Sequence, residues 1–170
     1  MLDFELDSRL WGARSIVASC GNMECQIYII QEGELPPTQH QLQVLESFMR
    51  LAEADVATDL ADYALKYCEE VEELIDLKEE GIEIDKKNIS NHFNVTTILI
   101  PELGDSDSAF VFLSADCEWE EEHGMQFLFE NGKIIWCGDH GTLPFSPQWN
   151  SIITAESEEA RHAILDRVLS

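Results

Sequence analysis

Few residues in this chain have the types and spacing to do chemistry. Cys117, His123, Cys137 and His140 combine thiol and imidazole groups, the ligand types that suit zinc. Their spacing forms no paired Cys-x-x-Cys or zinc-knuckle pattern, and Cys137 falls in an apolar run where a buried thiol is the simpler account. Glu122 beside His123 has the makings of a general acid/base pair. Adjacent side chains on an extended segment point to opposite faces, however, so only a tight turn would let them act together. Asp105 and Asp107 suggest calcium, but an EF-hand loop counted from Asp105 puts Phe110 at the glycine position and Asp116 where the bidentate glutamate belongs. The sequence holds no Walker-type phosphate loop, no Gly-x-Ser-x-Gly elbow and no dinucleotide glycine fingerprint. We therefore assign no catalytic residue, metal or cofactor. The alternative kept open is a metal-dependent or thiol enzyme using His123 with Cys117, Cys137 or His140.

Charge is the strongest signal. Thirty-four acidic residues stand against ten basic ones, a formal net charge of −24. A surface this acidic disfavours nucleic acid and anionic membranes, which need basic faces, and attracts a basic protein partner. The charge is also clustered: Glu53 to Asp85 holds 13 acids against Lys66 and Lys78, and Asp116, Glu118, Glu120, Glu121 and Glu122 form a second group. No run approaches the length of a membrane span, and Asp3, Glu5 and Asp7 stand where a signal peptide would be basic and then apolar. Five cysteines in no secreted-scaffold spacing read as reduced thiols, so the expected location is the cytoplasm. The bland alternative is a housekeeping protein whose acidity only maintains solubility.

The elements that would position these residues follow from periodicity. Ser15 to Ala18 and Gln26 to Ile30 read as strands around a turn at Gly21-Asn22. After Pro36-Pro37, Thr38 and Gln41 form a capping-box pattern, and Leu42, Leu45, Phe48, Met49 and Ala52 give the helix one apolar stripe. A second helix is predicted from Val56 to Leu77, with Glu69, Glu70, Glu72 and Glu73 on its outer face and Gly81 ending the helical region. Two such helices with a short connector would pack antiparallel over one side of a sheet.

Val95 to Ile100 and Ala109 to Trp119 are further strands. Met125 to Glu130 and Lys133 to Gly138 flank Asn131-Gly132, the dipeptide suited to a type I′ hairpin turn. In the simplest register Glu130 faces Lys133, Phe129 faces Ile134 and Phe127 faces Trp136. Asp139 to Asn150 reads as loop, and a last helix is predicted from Glu156 to Leu169, capped by Thr154 or Ser157. Residues 1–170 thus read as a single α+β domain. Its antiparallel sheet of about five or six strands is covered on one face by two helices, with a C-terminal helix added.

The segment Cys117-Glu-Trp119-Glu-Glu-Glu122-His123-Gly124, followed across a hairpin by Asn131-Gly132-Lys133, resembles a bacterial domain family of unknown function. That family carries a Cys-x-Trp-Asp-x-Glu-His-Gly segment and an Asn/Asp-Gly-Lys turn; the departure here is Glu120 in place of Asp. The resemblance runs from Trp11 to Gly138. It implies kinship with suspected immunity proteins of polymorphic-toxin loci, and no catalytic residues. With the charge, it points to an acidic protein-binding module that occludes a basic toxin domain. The candidate binding residues are Glu118, Trp119, Glu120, Glu121, Glu122, Glu69, Glu70, Glu72 and Glu73. His123, Gly124, Asn131 and Gly132 are expected to shape turns. Trp119 alternates with its acidic neighbours along a strand, which would place it in the core; if exposed, it would be an aromatic anchor in an acidic rim.

Overall fold

The computed structural model describes residues 5–7, 10–15, 25–30, 35–51, 53–72, 77, 81–103, 107–139 and 147–168. The strands are β1 (Glu5–Asp7), β2 (Leu10–Ser15), β3 (Cys25–Ile30), β4 (Phe93–Ile100), β5 (Phe110–Cys117), β6 (Met125–Glu130) and β7 (Lys133–Asp139). The helices are α1 (Gln39–Phe48), α2 (Glu53–Glu72), α3 (Pro147–Ile153) and α4 (Glu158–Val168), and a single 3-10 turn at Ile89–Asn91 leads into β4.

The α+β class is as expected. The sheet is larger than predicted, with seven strands lying side by side in chain order, and it is mixed: β3 and β4 run parallel and every other neighbouring pair is antiparallel. The parallel pair follows from its connection. The chain between β3 and β4 carries α1 and α2, and a crossover of that length returns the chain in its original direction. The first predicted strand begins earlier than Ser15, at Leu10; residues 16–18 and the expected turn at Gly21-Asn22 lie outside the described residues.

The capping box forms as predicted, with Gln41 N–H donating to Thr38 Oγ1 at 3.2 Å and Thr38 N–H donating to Gln41 Oε1 at 3.0 Å. Gln41 also does more than cap. It is almost fully buried, and its amide donates to the Ile30 carbonyl at 2.7 Å and the Pro101 carbonyl at 3.0 Å. One side chain thus ties the start of α1 to the ends of both parallel strands. The apolar stripe of α1 differs from the expected one: Val44, Leu45 and Phe48 are buried and Leu42 is exposed, because Gln41 turns the buried face toward its own position. Ala52, Leu74 and Ile75 lie outside the described residues.

Both helices rest on the same face of the sheet. Phe48 of α1 meets Phe129 edge-to-face at 5.2 Å, and the Tyr63 hydroxyl of α2 donates to the Ile134 carbonyl at 2.9 Å. Val56, Leu60, Ala64, Cys68 and Val71 form the buried stripe of α2 at helical spacing. Their main contacts are with strands, α1 with β4 and β5 and α2 with β7, rather than with each other as an antiparallel pair. α2 is described to Glu72, short of the predicted end at Leu77; beyond it, Gly81 has φ +80 and Ile82 N–H donates to the Leu77 carbonyl at 3.0 Å.

The hairpin turn is as predicted, with Asn131 at φ 51 and Gly132 at φ 81. Its register is not. Glu130 faces Lys133 and Phe129 faces Ile134, but a bulge then shifts the pairing, so that Leu128 faces Trp136 and Phe127 faces Cys137. One extra residue in β7 reverses the faces beyond it. Trp136 is therefore buried on the face away from α1 and α2, and Cys137 lies beneath α2 in its place.

That second face is covered as well. The stretch read as loop to Asn150 ends inside α3, which Pro147 opens at the first helical position, where its missing N–H costs nothing. Trp149 lies 5.2 Å from both Phe110 and Phe112, and its indole N–H donates to the Glu102 carbonyl at 2.8 Å. The last predicted helix is α4, where Ala160 N–H donates to Ser157 Oγ at 3.1 Å, the expected serine cap.

Gln41→Leu keeps the volume of the side chain but leaves the Ile30 and Pro101 carbonyls without their donor. Urea unfolding is expected to show a loss of about 2–3 kcal/mol, well above the cost of removing an exposed cap.

Candidate partner-binding surface

Cys117, His123, Cys137 and the acids Glu118 to Glu122 lie at one end of the sheet, around the turn between β5 and β6, whereas Asp107 precedes β5 at the other end. Glu118 N–H donates to the His92 carbonyl at 3.0 Å, and the Glu118 carboxylate meets His92 Nδ1 at 2.7 Å. This pair edges a shallow cleft of about 320 Å³ lined also by Asn94, Asp116, Cys117 and Glu121. Further along the turn, Gly124 N–H donates to the Glu120 carbonyl at 2.8 Å, and the Glu120 side chain reaches His123 Nδ1 at 3.0 Å. The longer acid at position 120 thus spans one helical-type turn to the imidazole. Gly124 is required here on two counts: its φ is +63, and a Cβ would lie 2.5 Å from the Ala115 carbonyl oxygen.

His123 does not pair with Glu122. Its imidazole pKa is raised above the ordinary 6.5, first by the Glu120 hydrogen bond and then by the Glu120 charge, with smaller contributions from Glu122 and Asp139 against some desolvation. Because the folded value is the higher one, the stabilisation from this contact is complete below the ordinary value and is lost as pH rises through the folded one.

The thiols lie under this turn. Burial pushes Cys117 up to about 12, only partly opposed by backbone hydrogen bonds from the Glu120 and Trp119 region. Burial likewise pushes Cys68 up to about 11 and raises Cys137 strongly, the neighbouring Cys117 and Glu70 adding to the latter. A thiol held protonated at neutral pH is a poor nucleophile. Among the described residues no three His, Cys, Asp or Glu side chains are grouped as a metal site would need, and His140 lies outside those residues. The calcium candidate Asp105 lies outside them too.

Of the predicted binding residues, Trp119 is buried, with its ring against Phe93 at 6.5 Å, and so belongs to the core rather than to an exposed rim. β5 ends at Cys117, short of the predicted end at Trp119, so it is the turn after the strand, not strand alternation, that carries this ring inward. Glu118 and Glu120 are occupied by His92 and His123, whereas Glu121 and Glu122 are exposed. Glu69, Glu70 and Glu72 are exposed on α2; Glu73 lies outside the described residues.

Tyr67, on the α2 segment that carries Glu69 and Glu70, lies near Glu120 of the β5–β6 turn and Asp139 at the end of β7. Its hydroxyl is raised far above the ordinary range, first by burial and then by the charges of Asp139 and Glu120. Glu70 acts on Cys137 in the same way. Tyr67 reads from the sequence only as a core or interface aromatic, and Asp139 was missed as a neighbour of it, since the packing of α2 along β7 brings the two together. The exposed charge at Asp139, just past the end of the predicted strand, was the available signal.

A family model described as a domain of unknown function, DUF6985, matches residues 2–144, and the chain belongs to that family. No significant match was found among curated proteins or among solved structures. No helix among the described residues is long and apolar enough to cross a membrane.

Two measurements check this turn. Gly124→Ala should lose about 2–4 kcal/mol in urea unfolding, since it combines positive φ with a backbone clash; Gly132→Ala, whose Cβ would meet only the flexible Leu51 side chain at 3.2 Å, should lose about 1–2 kcal/mol. In an NMR titration His123 should titrate above 6.5, and Glu120→Gln should bring its midpoint down toward that value.

Proposed function

We propose that this DUF6985 chain is a protein-binding module that captures a basic partner through the acidic end of its sheet, in the manner of an immunity protein occluding a basic toxin domain. The observation that carries the reading is the convergence of two separate acidic segments on one rim. Tyr67 of α2 feels the charges of Glu120 from the β5–β6 turn and of Asp139 from the end of β7, and Glu70 of α2 acts on Cys137 of β7, while Glu121 and Glu122 are exposed on the same turn as Glu120. Carboxylates held together in this way repel one another, and a surface rich in lysine or arginine relieves that repulsion on contact. Such a rim speeds encounter and suppresses acidic competitors, while occlusion follows if the captured cations are those the partner uses for its own substrate.

Glu118 and Glu120 have a different part in this reading. Each is already held by a histidine, so they fix the shape of the turn that displays Glu121 and Glu122. The thiol-enzyme alternative draws no comparable support, because it would need thiolates where burial favours thiols.

The test is capture from host lysate by the immobilised protein at low and high salt. A single basic protein should be retained at low salt and released at high salt. The double charge reversal Glu121→Lys with Glu122→Lys should weaken it about tenfold or more while leaving the melting temperature unchanged. Retention indifferent to salt and to the reversal, or none at all, would sink the proposal.

A further inference from the structure

β7 is the last strand on its side of the sheet, and part of its outer edge is open. Glu130 and Lys133 face each other across the two-residue turn and exchange their peptide hydrogen bonds, so Ile134, the next residue, points its N–H and C=O away from β6. The Tyr63 hydroxyl of α2 donates to that outward Ile134 carbonyl at 2.9 Å. Beyond the bulge Leu128 faces Trp136, which leaves Cys137 and Asp139 as the outward-pointing residues. Among the described residues no hydrogen bond reaches their outer peptide groups.

The usual defences of an edge strand are concentrated at the hairpin end. There the bulge and Tyr63 interrupt the row of peptide groups. The strand contains no proline, and its only charged residues are Lys133 and Asp139 at its two ends. One helical turn beyond Tyr63, Tyr67 lies near Cys137 and Asp139, and its hydroxyl makes no hydrogen bond among the described residues. Glu70 acts on Cys137 from the same helix, and both Glu70 and Asp139 are exposed. The second half of the edge is thus an unpaired backbone flanked by two carboxylates.

That combination selects one kind of ligand. An extended segment brings free N–H and C=O groups to the strand, and a lysine or arginine on it meets Glu70 or Asp139. A helical segment has already paired its backbone groups internally and cannot use the edge. A second copy of this chain would set its own Glu70 and Asp139 against the same carboxylates, at a net charge of −24 on each molecule.

We propose that the basic partner docks by adding an extended segment bearing lysine or arginine to the outer edge of β7 at Cys137 to Asp139, as an eighth strand of the sheet. Its cations lie beside Glu70 and Asp139, and its backbone is held by the peptide groups of β7. The proposal rests on the reading of the acidic rim as a site for a basic partner, and it adds the main-chain contact that fixes the partner's conformation and register.

The probes are an octapeptide of alternating lysine and valine and the same peptide with a methyl group on every peptide nitrogen, which keeps the charge and removes the donors. With the first peptide at saturation, amide exchange at Cys137 and Asp139 in the full chain, read by NMR, should slow about tenfold or more, and the methylated peptide should bind about tenfold or more weakly. Asp139→Asn and Asp139→Pro remove the same charge, but only the second removes an outward N–H that the fold itself leaves unbonded. The proline variant should therefore bind the first peptide about threefold or more weakly than the asparagine variant does, with the protection of β6 unchanged. Salt-sensitive binding of both peptides with equal affinity, and no added protection at Cys137 and Asp139, would show that the rim attracts cations while the edge takes no strand; the proposal is then wrong and the reading of the rim stands. Binding of neither peptide overturns both.

Discussion

The structure depends on a constraint set by β5 and β6. Every residue of β6 is buried, as are Phe110 to Ala115 of β5, so neither face of the sheet centre can be left to water. A strand with apolar side chains on both faces is stable only between two layers. On one side that layer is α1 and α2, meeting Phe129 and Ile134; on the other it includes α3 and α4, meeting Phe110 and Phe112. The position of the helices in sequence then decides the topology. Because α1 and α2 fall between β3 and β4, that pair must be parallel, and Gln41 locks the crossover by bonding to the carbonyls at both strand ends.

The same burial organises the chemistry of the acidic end. Cys117 and Cys137 pass under α2 and are held as thiols, so the sulfur there is packing material. The charged groups are forced to the periphery, where the chain's scarcity of cations becomes visible. Arg50, Lys86 and Arg161 each engage a carboxylate, and two histidines are drawn to Glu118 and Glu120. What is left exposed at the rim is almost wholly negative, which is the physical basis for expecting a cationic partner there.

Local features were the most legible in the sequence. The Thr38–Gln41 capping box, the Asn131-Gly132 turn and the serine cap of α4 each depend on residues a few positions apart, and each forms as read. Where longer range mattered, the reading failed in specific ways. A bulge in β7 moved Trp136 to the other face, and the pattern could not show it because a single extra residue leaves composition and alternation almost unchanged. Leu42 was placed in the stripe of α1, whereas the buried glutamine at 41 rotates the contact toward itself, since its hydrogen bonds reach residues 11 and 60 positions away. The start of the helix at Pro147–Ile153 was read as loop although Pro147 stood at a favourable first position.

By itself, then, the sequence determined the α+β class, the turn chemistry, the strongly negative charge and the family to which the first 144 residues conform. These depend on near neighbours and on totals. Only the tertiary structure decided that β3 and β4 are parallel, that Trp119 is core, that acids from α2 and from the β5–β6 turn share one rim, and that Glu130 meets Arg161. Each of those is a pairing between distant segments. The free energy of such a contact is set by which faces are buried together, and no local pattern of residue types carries that information.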